Sequence, residues 1–186
     1  MAWNMVNFDE IQALSPSRQF LQFSDAYVDS AELLCSIIAA ETSNSSYPKG
    51  AVIMSLAFHG IELFLKAAIL EESPGERFKG RAGHDLEQLG AKYKELYPNE
   101  EYRFEVPFRN EEASLLDPDP QVLEELKRCI KEHNKTTPED QLHRYPQDMN
   151  GNPWRGLYAF EAQLFLGTIA QVRKDIARLK KLIFSG

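Results

Sequence analysis

Ala51–Leu70, AVIMSLAFHGIELFLKAAIL, is the stretch on which the reading of this chain turns. Fifteen of its twenty residues are apolar, and Ser55, His59, Glu62 and Lys66 supply four of the five exceptions. Steps of four, three and four place those four residues within an arc of about 60° on an α-helix. A helix that is apolar nearly all round belongs at the centre of a bundle. Its narrow polar stripe then faces water, a partner or a site. Glu62 and Lys66, with the glutamate first at i and i+4, are oriented for a helical ion pair. Two readings stay open for the stripe. It is solvated, or it is a polar seam that anchors a loop or lines a cleft.

The length matches a membrane span, but His59, Glu62 and Lys66 argue against insertion. The 186 residues suit one domain, 1–186, with a core that needs no staples. A content of 43% apolar and 26% charged residues is that of an ordinary globular protein. Cys35 and Cys129 have no metal or redox spacing. With no secretory leader evident, they read as reduced, buried thiols and the expected location is cytoplasmic. A net charge of −7 disfavours nonspecific nucleic-acid binding by the surface as a whole. Against that balance, Gln171–Gly186 carries Arg173, Lys174, Arg178, Lys180 and Lys181 with Asp175 as its one acid. Those cations either offset a helix dipole or form a local phosphate-binding face.

Five helices and no βαβ alternation predict an all-α bundle. The first spans about Ser17–Glu41, entered by Ser15 as cap and Pro16 at the first helical position, with an apolar stripe of Phe20, Phe23, Tyr27, Ala31, Leu34 and Ile38. After a Thr42–Lys49 linker, the second runs Gly50–Glu71 and stops at Ser73-Pro74-Gly75. The first two helices should pack antiparallel, burying Phe23, Tyr27, Leu34, Leu56, Leu63 and Ala67. The third, Asp85–Tyr97, opens with Asp85 and Gln88 at capping-box spacing and buries Leu86, Leu89, Tyr93 and Leu96. The fourth covers about Pro120–His133. The fifth, Leu157–Phe184, carries Phe165, Ile169, Val172, Ile176, Leu179 and Ile183, a seam for antiparallel packing or for a partner helix.

Two connections are long, Pro98–Asp119 and Asn134–Gly156. The second holds His143-Arg144-Tyr145-Pro146 and then Asn150-Gly151, a dipeptide suited to a small hairpin. Its aromatic and arginine content predicts an ordered loop before the last helix. It should fold back over the stripe, with Arg144 bonded to an acidic side chain or to helix-end carbonyls and Tyr145 packed on the bundle. A pocket bordered by His59 and His84 would then be the ligand site. The basic, glycine-rich run Arg77–Asp85 precedes a helix start, where free N–H groups favour an anion, although Asp85 as cap competes for them. His59 and Glu62 alone do not make a zinc site, and no phosphate-loop or nucleophile motif occurs, so no metal or cofactor is expected.

Ala57-Phe-His-Gly-Ile-Glu-Leu-Phe-Leu-Lys-Ala-Ala, followed by Gly83-His84-Asp85-Leu86-x-x-Leu89, resembles the HEPN domain, a helical family named for nucleotide binding in higher eukaryotes and prokaryotes. The likeness covers the second and third helices best. It implies an up-and-down bundle of four or five helices, a homodimer, and RNA or nucleotide as ligand. The family includes metal-independent ribonucleases of toxin–antitoxin and defence systems, along with non-catalytic binding modules that dock a partner protein, here through the last helix. Its catalytic members carry an arginine and a histidine four to six residues apart. The guanidinium would hold the phosphate charge while the imidazole moves the proton. Arg128 and His133 satisfy that spacing and are the expected catalytic pair, as do Arg77 and His84 as an earlier alternative. On one continuous helix Arg128 and His133 would diverge by about 140°, so convergence needs the helix to end between them. The ligand-binding set is His59, Glu62, Lys66, His84, Arg144 and Tyr145.

Overall fold

The computed structural model describes residues 8–41, 43, 45–107, 124, 125, 128, 142–148, 150–154 and 160–185. Among these the chain is all-α: α1 (Asp9–Gln12), α2 (Pro16–Ala40), α3 (Tyr47–Glu72), α4 (Leu86–Leu96) and α5 (Ala162–Ile183), with 3-10 turns at Arg81–His84 and Glu100–Tyr102. Most of the helix expected over Pro120–His133 lies outside the described residues, as does Cys129.

Capping chemistry sets the boundaries. Ser15 caps α2 through its hydroxyl to the Arg18 N–H, with Pro16 in the first turn. α3 begins three residues before the expected Gly50, because Pro48 needs no N–H partner in a first turn and so continues the helix start. At α4 the Asp85 carboxylate accepts from Glu87 N at 2.8 Å and Gln88 N at 3.2 Å, and the Gln88 side-chain amide donates back to it at 2.9 Å.

α2 and α3 pack antiparallel, with Ser24 Oγ donating to Gly60 O at 2.7 Å midway along α3 and Ser17 Oγ, at the start of α2, donating to Glu71 Oε2 at 2.5 Å at the end of α3. The α2 seam is Ser17, Leu21, Ser24, Val28, Ala31, Cys35 and Ile38, all buried. This corrects the sequence reading. Phe23 and Leu34 are exposed, at 44% and 39%, and Tyr27 and Leu56 are half-buried, whereas Leu63 and Ala67 are inside. The true seam is rotated by about 70° from the predicted stripe, with Ala31 and Ile38 common to both. Gly60 explains the choice. A Cβ there would meet Val28 Cγ2 at 2.6 Å, so the helices approach too closely for a face of large rings.

α5 lies antiparallel to α2: Cys35 Sγ donates to Ala162 O at 3.3 Å, and Arg18 Nη2 reaches Phe184 O at 2.5 Å at the opposite end. Its seam of Phe165, Ile169, Val172, Ile176 and Leu179 is buried inside the chain, where antiparallel packing takes it. Burial holds the Cys35 thiol up to about 11, aided by the Glu161 charge. α4 runs in the same sense as α3, since His84 meets Glu62, Tyr93 packs near Phe64 and the Tyr97 hydroxyl donates to Ala68 O. A strict up-and-down order therefore fails at this step. The 73–85 connection returns along α3 before α4 starts, and Gly83 allows it, because a Cβ would press 2.8 Å from the Phe78 carbonyl carbon.

α3 is long and apolar enough to cross a membrane, but 78% of its most apolar window is buried within the protein, as in a core helix.

Candidate functional site

The α3 stripe is not a solvated face. Glu62 and Lys66 are 3% and 5% exposed, with Lys66 Nζ donating to Glu62 Oε1 at 2.6 Å. The 73–85 segment closes over them: His84 Nδ1 sits 3.0 Å from the same Oε1, and Lys66 Nζ lies 5.3 Å from the centre of the Phe78 ring. His59 Nδ1 is 3.6 Å from Glu62 Oε2. Burial opposes ionisation of Glu62, but hydrogen bonds from His59 and Lys66 and the lysine charge outweigh it. The carboxyl is held down to about 2. Glu62 is therefore a permanent anion that fixes whatever donates to it.

His84 is the partner with a free side. With Nδ1 on Glu62, the opposite edge of the ring, Nε2, is left for another partner, and the side chain is 53% exposed. Arg144 arrives from the other direction, with Nη2 3.3 Å from His59 Nδ1. The niche between them is lined by Ser55, Phe58, His59, Glu62, His84, Leu86 and Arg144 and encloses about 10 Å3. That is room for about one water, so a larger ligand rests on the mouth or moves the loop.

The loop that carries Arg144 is held by neighbours on either side of it. Leu142 is buried and the His143 ring stacks on Phe58, centroids 5.3 Å apart and 8° from parallel. Asn150-Gly151 makes the expected small hairpin: Gly151 has φ +80°, Asp148 N donates to Asn152 O at 2.9 Å, and Gln147 bridges Pro153. Trp154 Nε1 donates to Tyr145 O at 2.7 Å, tying the hairpin's two arms.

Of the expected site residues, His59, Glu62, Lys66, His84 and Arg144 come together. Arg144 does so through an imidazole, not through a carboxylate or helix-end carbonyl as the sequence suggested. Tyr145 does not join them. It is 59% exposed, and the ring laid on the bundle is that of His143, two residues earlier in the turn. Arg128 is exposed and 3.5 Å from Glu125, one turn earlier, while His133 lies outside the described residues. Arg77 donates to its neighbour's carbonyl, Glu76 O, and His84 turns to Glu62, so that alternative pair does not converge. No group of three metal-ligating side chains occurs among the described residues. The sequence reading missed Tyr27, whose ring meets the His59 ring edge-on at 4.6 Å, and the Phe58–His143 stack. Only the adjacency of His143 to Arg144 could have pointed to the stack.

No family model, curated protein or solved structure matches the chain.

Proposed function

We propose that this chain is a HEPN-like protein that binds RNA or a nucleotide phosphate at the mouth of the α3 niche. One observation carries the reading. Two imidazoles and a guanidinium from three separate parts of the chain meet around one buried, permanently ionised carboxylate. Arg144 offers a planar fork to a phosphate. His84, oriented by Glu62, presents Nε2 as a proton acceptor, the arrangement needed to activate a ribose 2′-hydroxyl without a metal. The cations of α5 support this site poorly as an extended RNA track. Arg173 pairs with Asp29 and Glu32, Lys180 with Asp25, and Arg178 with the Glu101 and Arg103 carbonyls.

The test is binding and cleavage of a labelled single-stranded RNA in the presence of a chelator. Arg144→Ala should weaken binding by about tenfold, worth about 1.4 kcal/mol. His84→Ala should abolish cleavage with binding retained. Loss of cleavage in His133→Ala, with His84→Ala and Arg144→Ala both at wild-type activity, moves catalysis to Arg128 and His133. No RNA binding by the wild type removes the proposal.

A second reading is an adaptor or homodimer of the same fold. It is favoured by the apolar side chains that α2 leaves outside, Phe23, Leu33, Leu34 and Ile37, the last at 54% exposure. A sedimentation mass of one chain at micromolar concentration would remove the homodimer.

A further inference from the structure

His143 takes no part in that site, yet it is a half-buried titratable group on its loop. Its ring lies flat on Phe58, and its Nδ1 is shut from solvent with no hydrogen-bond partner among the described residues. A phenylalanine would make the same stack without leaving a nitrogen unpaired. What histidine adds is the capacity to take a proton. The next residue, Arg144, rests against the niche, with Nη2 3.3 Å from His59 Nδ1. Whatever frees the His143 ring therefore frees Arg144 with it.

We propose that residues 142–148 and 150–154 form a proton-released strap, closed over the α3 niche while the His143 ring is neutral and freed when that ring takes a proton.

The groups facing each ring set the direction. His59 meets the Tyr27 ring from α2, Glu62 on its own helix and Arg144 on the strap, with His84 and Lys66 on the far oxygen of Glu62. His143 faces Phe58 and, among the described residues, no carboxylate. Burial alone holds its imidazole down to about 4 from an ordinary 6.5. The open strap then binds a proton that the closed strap refuses. Closure weakens as the pH falls below 6.5 and goes on weakening until about 4. From His143 alone, opening should be about 30-fold more favourable near pH 5 than near pH 7.5. Only the consequence, a niche widened enough for a phosphate, rests on the RNA reading.

Hydrogen exchange on the ligand-free full chain, corrected for intrinsic rates, tests the strap. Between pH 7.5 and pH 5, peptides within 142–154 should lose protection by about 30-fold while α3 keeps its own. His143→Phe should remove that change. Equal loss of protection in α3 and strap, no loss in the wild type, or an unchanged response in His143→Phe overturns the proposal. Should that variant fail to fold, NMR titration of wild-type His143 decides: a midpoint near 6.5 overturns the strap, and one well below it supports it. Strap opening in a protein that binds RNA at neither pH sinks the RNA reading and leaves the strap standing.

Discussion

α3 and α5 both carry charged residues at helical spacing, yet the two sets sit in different physical regimes. On α3, Glu62 and Lys66 are sealed under the 73–85 segment, where each charge depends on the other. On α5, Arg173 bridges Asp29 at 3.0 Å and Glu32 at 2.9 Å on the outside of the α2 contact, with its side chain 56% exposed. Water and salt screen the second set and scarcely reach the first. The same residue types therefore form a rigid centre for a site in one helix and a soft rim in the other.

The sharpest way to break this contrast is Glu62→Gln, which leaves Lys66 buried without a counter-charge. It should cost about 3–5 kcal/mol in urea unfolding at neutral pH. The same carboxyl should also shape acid stability. Its folded value of about 2 lies below the ordinary 4.5, so its contribution is complete above 4.5 and is lost as the pH falls toward 2. That amounts to roughly 3 kcal/mol of acid dependence, which Glu62→Gln should lack. A variant as stable as the wild type would mean that the pair is solvated.

Leu63→Ala, on the closed side of α3, should cost roughly 2–5 kcal/mol. A loss under about 1 kcal/mol would place a different face of the helix inside. Gly60→Ala probes the close approach of α2 and α3, where the added methyl meets stiff, β-branched Val28 at 2.6 Å. About 1–3 kcal/mol of destabilisation is expected from the forced shift, and a neutral result would show that the seam is loose. The smallest effect belongs to α5. Arg173→Ala should change stability by no more than about 1 kcal/mol, with the difference shrinking further at high salt. A loss of 3 kcal/mol or more there would erase the distinction between the two helices.

Much of the architecture could be read in the chain before folding, because it rests on local chemistry. The centrality of α3 follows from its composition, the start of α4 from Asp85 and Gln88, the α5 seam from its four-and-three spacing, and the hairpin from Asn150-Gly151. Even the grouping of His59, Glu62 and Lys66 follows, since three residues on one helix stripe are neighbours by helical geometry alone. Local spacing could not decide which of two overlapping apolar stripes on α2 goes inward. That depended on a glycine 36 residues away permitting close approach. Nor could it decide that Glu62 and Lys66 are dry, that α4 follows α3 in the same sense, or that His143 and not Tyr145 is the ring laid on the bundle. Each of these is settled by which distant surface arrives and what water it excludes, and burial of a charge or a ring is a property of both surfaces together.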